Sequence, residues 1–351
     1  MFDDEISKGA GLMNKKERVN AVLNRKPIDR NAFWMGCPTQ EAKEIYYRYF
    51  EVATDEELSS VIGDDFVWIS ADENSWKHPE GKPMFDFLGG KERVSLNQEG
   101  VFAECESIKE VEKYDWPDAK YLDFTHVIKK IDEANERGVA VFSGLWSPFF
   151  HDITNFFGME NCFIKMITNP EVVEAVVDRV IEFYLQANKK FFELTHSKID
   201  SFFFGNDFGS QEDLLISPEL FKKFVLPGFK KLTQLSKSYD IKVTLHSCGS
   251  IKRVIPLLIE AGVDALHPLQ AKAKGMDAES LSKEYSKDLV FIGGVDTQEL
   301  LPFGTPEQIK NEVRRLKKVF GQNFIVSPSH EALLSNVSPQ NLVAMRDATM
   351  E

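Results

Sequence analysis

The chain has 351 residues, a hydrophobic fraction of 43% and a charged fraction of 28%, enough apolar matter to bury a large core. Its formal charge of −13 excludes a nucleic-acid or anionic-membrane surface, since both partners need basic patches. The acidic start Met-Phe-Asp-Asp-Glu has no apolar signal region, no apolar run approaches the ~20 residues of a membrane helix, and Cys37, Cys105, Cys162 and Cys248 show no disulfide framework. A cytoplasmic setting is expected.

Residues 1–12 are an extra N-terminal segment, after which Asn14 to Asn24 reads as a capping helix and Pro27 to Arg30 as a turn. Eight short β-rich runs then begin at Ala32, Phe66, Val139, Ser201, Ile241, Ala265, Leu289 and Phe324. Most of the later runs follow an amphipathic helical segment, such as Pro170 to Leu194 or Pro306 to Phe320. Strands alternating with helices build a parallel sheet, and eight such units at this length predict a (β/α)8 TIM barrel, read as one domain over 1–351. No Gly-x-Gly-x-x-Gly turn supports a doubly wound sheet instead. Between the second and third runs lies an insertion, 76–120, in which Met84 to Gly90 and Gly100 to Glu104 are expected to form a hairpin.

Barrel enzymes carry their chemistry on the loops that follow the strands. The fifth run ends at His246-Ser-Cys248. Residues two apart on a strand face the same way, so this imidazole and thiol can close on one ion. Such a pair is either the start of a soft, zinc-preferring site or a buried histidine beside an inert cysteine. Four of the seven histidines, His151, His246, His267 and His330, fall on the same predicted rim, which favours the first reading. The expected metal ligands are His246, Cys248 and His330. Asp72, His151 and Asp207 are the catalytic candidates, with Asp72 and His151 as a possible acid/base pair. Trp146, Asn206, Gln211, His267 and Asp296 are the candidate substrate contacts, and Trp146, Phe149 and Phe150 the candidates for a flat apolar wall.

Arg25-Lys-Pro-Ile-Asp-Arg30, Asp115-Trp-Pro-Asp118, His246-Ser-Cys-Gly249, Gly293-Gly-Val-Asp296 and Ser327-Pro-Ser-His330, followed by Ser338-Pro-Gln-Asn-Leu342, together resemble the uroporphyrinogen decarboxylase superfamily. The resemblance covers the chain from about Met13 onward and implies a barrel. One branch decarboxylates a tetrapyrrole without cofactor and grips its carboxylates with arginines after strand one. Here that loop reads Met35-Gly-Cys-Pro-Thr-Gln40, without arginine. The other branch comprises zinc methyltransferases that take a methyl group from a corrinoid protein to a thiol or a tetrahydrofolate acceptor, with His-x-Cys after strand five and a further Cys after strand eight. His246 and Cys248 match that motif, and His330 stands where the second cysteine would be. The resemblance therefore implies a corrinoid-dependent zinc methyltransferase, with a decarboxylase or a non-catalytic corrinoid-binding protein as the alternatives.

Overall fold

The computed structural model describes residues 12–351 apart from Glu73 and Leu96; the N-terminal extension thus lies, but for Leu12, outside the described residues. Eight strands form one parallel sheet: β1 (Ala32–Phe33), β2 (Phe66–Ser70), β3 (Ala140–Gly144), β4 (Ser201–Gly205), β5 (Lys242–His246), β6 (Ala265–Leu269), β7 (Val290–Val295) and β8 (Phe324–Pro328). They pair in the order β1-β8-β7-β6-β5-β4-β3-β2, with helices between them, as a TIM barrel requires. Each predicted run overlaps one of these strands, and β1 is shorter than its run.

Alternation along the strands divides the core in two. Trp34, Phe66, Phe142, Phe203, Ile292 and Ile325 fill the barrel, where the helix α1 (Lys15–Leu23) adds Val19, Val22 and Leu23. A reciprocal cap, Asn14 with Glu17, starts α1. Outward residues such as Phe202 and Phe204 pack instead in the layer beneath the surrounding helices.

The barrel closes between β1 and β2 by an unusual route. One backbone bond crosses there, from Asp65 N–H to Phe33 O at 2.9 Å. Two carboxylates take over the rest of the ladder: Asp65 Oδ2 accepts from Phe33 N–H at 2.9 Å and Asp64 Oδ1 from Met35 N–H at 2.7 Å. Burial pushes the Asp64 carboxyl up to about 7, against the opposing hydrogen bond from Met35. The folded chain therefore holds a proton that the unfolded chain, with an Asp pKa of ~3.9, has released. Stability from this group is full below pH ~4 and is lost as pH rises towards ~7. Urea midpoints of Asp64→Asn should accordingly fall less over that window than those of the parent; parallel profiles would remove Asp64 as the cause.

The expected hairpin is absent. Among the described residues, Met84 to Glu104 contains no strand, and a backbone bond from Val101 N–H to Phe87 O joins its two halves. Gly89 and Gly90 both have positive φ, and Phe85, Phe87, Phe102, Tyr114 and Trp116 gather around Phe156. Packing of these rings onto one helix overrides the β-propensity that their alternation suggests.

Candidate metal and catalytic site

Strand β5 turns His246 into the barrel mouth, and the loop after it brings Cys248 alongside. Gly249 has φ +83°, and a Cβ on it would lie 2.4 Å from Gly209 O, so only glycine lets the loops after β4 and β5 touch. That contact is fastened by Cys248 N–H, which donates to Asp207 Oδ1 at 2.8 Å. Cys248 Sγ then stands 3.4 Å from His246 Nε2, and Asp207 Oδ1 3.5 Å from the same nitrogen. Three donors, one each of sulfur, nitrogen and oxygen, lie within 4.8 Å of one another. Such a set fits zinc, which binds all three donor types and favours four ligands.

Charge is distributed unevenly over the three. Burial and the carboxylates of Asp207 and Glu331 push the Cys248 thiol well above its ordinary value, so without a cation the sulfur keeps its proton. Burial also opposes ionisation of Asp207, but the hydrogen bond and charge of His246, the Cys248 N–H and His151 outweigh it and bring the carboxyl down to about 2.

The other nitrogen of His246 faces inward. Its Nδ1 is 3.0 Å from His267 Nδ1 and 3.5 Å from Glu331 Oε2. His267 is fully buried, and burial drives its pKa well below the ordinary value, leaving it neutral. Glu331 arrives from the loop after β8, where its carbonyl accepts from Cys37 N–H. Gly36, with φ +87°, permits this approach, because a Cβ there would lie 2.5 Å from Glu331 O. Glu331 was not among the candidates; its signal in the sequence is its place beside His330 after the last strand.

His330 stands outside the three-donor cluster. Its Nδ1 accepts from Ala332 N–H at 3.1 Å and lies 3.5 Å from Glu331 Oε2. The His330 and His246 ring centres are 6.2 Å apart, whereas two imidazoles sharing one tetrahedral zinc at ~2.1 Å would set them about 5 Å apart. His151 Nε2 faces Asp207 Oδ2 at 4.0 Å. The expected partner Asp72 is otherwise engaged: it is half-buried, desolvation raises its carboxyl, and its Oδ2 accepts from Trp146 N–H at 2.6 Å and Ser70 Oγ at 3.0 Å.

Among the expected substrate contacts, Trp146 lies at the mouth, its ring 5.2 Å from that of His246 and 5.0 Å from that of Trp68. Gly205 makes room for it, since a Cβ there would fall 1.9 Å from Trp146 Cζ2. Asn206 is fully buried and ties loops together, accepting from Phe150 N–H and donating to Ser147 O. His267 lies beneath His246, out of reach of solvent. Asp296 accepts from Glu299 and Leu300 N–H at the start of a short helix and pairs with Lys272, while Gln211 is exposed on the loop after β4. Phe149 and Phe150 are core residues, 0% and 1% exposed, and do not form a wall at the mouth; there the rings of Trp146 and Trp68 meet at 46°.

Residues 93–351 match the family model described as uroporphyrinogen decarboxylase (URO-D). The chain belongs to that family. Its relatives include a methylated-thiol–coenzyme M methyltransferase of Methanosarcina mazei, 27% identical over 205 residues, a match that covers 57% of this chain and 52% of the relative. The chain thus spans about half the length of that relative. A methylcobamide:CoM methyltransferase MtbA of Methanosarcina acetivorans is 22% identical over 315 residues, 87% of this chain and 89% of its own. A solved methyltransferase from Methanosarcina mazei superposes with a TM-score of 0.64 at 17% identity, over 96% of this chain and 98% of its own, which supports the barrel fold. No helix among the described residues is long and apolar enough to cross a membrane.

Proposed function

We propose that the protein is a zinc-dependent methyltransferase that moves a methyl group from a methylcorrinoid, carried on a partner protein, to a thiol or, failing that, a folate acceptor. The observation that carries this reading is the meeting of Cys248 Sγ, His246 Nε2 and Asp207 Oδ1 at the barrel mouth. The names of the relatives support corrinoid donors and thiol acceptors.

His246, Cys248 and Asp207 would hold the ion, and His330 would join them only by turning inward from Glu331. Zinc bound there would supply the Lewis acidity that ionises an acceptor thiol, whose free pKa is ~8.5. The chain's own groups complete the site. His151, kept neutral chiefly by burial and 4.0 Å from Asp207 Oδ2, is placed to take the proton leaving the thiol. Trp146, with Trp68 tilted 46° beside it, offers apolar ring surface of the kind a corrin ring packs against.

Against decarboxylation stands the loop after β1, Met35 to Gln40, which brings no arginine to the mouth. A tetrapyrrole bearing many carboxylates would be desolvated there without charge partners. In the test, the protein is incubated with methylcobalamin and, in turn, coenzyme M, homocysteine or tetrahydrofolate, while the corrinoid absorbance is followed. Demethylation that depends on one acceptor and disappears in His246→Ala is expected. Turnover of uroporphyrinogen, or corrinoid binding without transfer to any acceptor, would overturn the reading.

A further inference from the structure

A thiol bound beside Cys248 reaches into the barrel mouth with whatever tail it carries, so the charges lining the mouth decide which thiols fit. We infer that the acceptor is a thiol without an anionic tail, and that an aminothiol suits the site better than the sulfonate of coenzyme M. That acceptor class rests on the proposed methyl transfer to a thiol and departs from the coenzyme M in the relatives' names.

Recognition of a sulfonate calls for a guanidinium or ammonium partner, and the loops that follow the strands do not supply one. After β1, β3, β4, β7 and β8, the segments 36–39, 145–148, 206–217, 296–299 and 329–338 hold no lysine or arginine. Lys77, the first cation after β2, is exposed. The cations that follow β5 and β6 are already taken: Lys252 by Glu284 at 2.7 Å, Arg253 by Asp213 at 2.9 Å, Lys272 by Glu299 at 2.8 Å and Lys274 by Glu212 at 3.5 Å. Among the described residues, the ion-pair partners of Asp207 and Glu331 are all histidines.

What does face the site is acidic. The charged groups acting on the Cys248 sulfur are Asp207 and Glu331, and Glu331 Oε2 is buried without a hydrogen-bond partner. A bound zinc ion does not reverse the sign. A thiol that coordinates zinc is ionised outright, so Cys248 and Asp207 as ligands would cancel the ion's two charges and leave that of Glu331 over. The histidines do not offset it either. His330 Nδ1 accepts from Ala332 N–H at 3.1 Å, as only an uncharged ring can. His151 gains a proton only as the acceptor sulfur loses one, so that pair adds no net charge. An anionic tail two carbons from the sulfur would therefore meet a like charge, whereas an ammonium there would meet an opposite one.

Coenzyme M, mercaptoethanol and cysteamine have the same two-carbon chain and differ in the charge of the tail, which makes them the probes. With methylcobalamin as donor, and after correction for each thiol's own pKa, kcat/KM for the sulfonate should lie ~10–100-fold below that for the alcohol. Cysteamine should equal or exceed the alcohol, and the gap should narrow as salt is raised. Glu331→Gln removes the charge left over and should raise the sulfonate relative to the alcohol; if that variant does not fold, the salt dependence of the parent makes the same distinction. Binding is read apart from transfer, by the change each thiol causes in the sulfur-to-metal absorption of cobalt(II)-loaded protein, with the same order expected. A sulfonate that matches or exceeds the alcohol, in transfer or in binding, would overturn the inference. Binding in the expected order without transfer would support it while sinking the proposed function, and a protein that takes up neither metal nor thiol would sink both.

Discussion

Cys248→Ala is expected to lose most of the protein's zinc and, with it, methyl transfer to any acceptor. The cluster offers three donors, and the sulfur is the softest of them. Its removal leaves one imidazole and one carboxylate, an incomplete shell that water must fill. The affinity should drop by more than the ~10–100-fold that follows loss of a supporting partner. The fold should survive, because Cys248 sits on a loop whose attachment to Asp207 runs through its backbone N–H and not its thiol. Elemental analysis of chelator-free preparations reads the outcome, with circular dichroism confirming the fold and Cys162→Ala, on a helix away from the mouth, as the control for losing a thiol. Full zinc retention in Cys248→Ala would remove the sulfur from the metal site.

The pair at the centre of this site was legible in the sequence because His246 and Cys248 lie two apart at the end of a strand-like run, a spacing that predicts one face; in the structure the strand ends at His246 and the loop beyond it carries Cys248. The eight strands were legible for a similar reason, since a parallel strand buried on both faces must be a short apolar run. What could not be read were relations between distant loops. Asp207 is a catalytic candidate in the sequence, but its place beside the sulfur depends on Gly249, which brings its loop against that of Cys248. Glu331 enters the site only because Gly36 allows the β1 loop to meet it. His267 lies on the predicted rim, yet it faces into the barrel beneath His246, and one strand cannot show which layer of a barrel a side chain occupies. The insertion misled for the opposite reason: its alternating aromatics carry a genuine β pattern, but the rings gather around Phe156, and a lone two-stranded hairpin is marginal in water.

Asp65→Ala is expected to cause the largest loss of stability of any single change at the barrel seam. Asp65 is fully buried, and its two oxygens serve three groups. Oδ1 receives Arg18 Nη1 at 2.7 Å and Arg30 Nη2 at 3.1 Å, while Oδ2 receives Arg30 Nη1 at 2.8 Å and Phe33 N–H at 2.9 Å. Truncation strands the Arg18 guanidinium, itself 4% exposed, with Asp29 as its remaining carboxylate, and orphans a buried backbone donor on β1. Breaking a buried ion pair from one side costs ~3–5 kcal/mol, because the surviving charge stays desolvated. Asp65→Asn keeps an oxygen for Phe33 and should cost less than Asp65→Ala but remain destabilising, since the two arginines lose their counter-charge. Urea denaturation of both variants gives the measurement. A loss below ~1 kcal/mol in Asp65→Ala would mean that the seam is held by packing such as that of Trp34 on Phe66 alone, and that the carboxylates only decorate it.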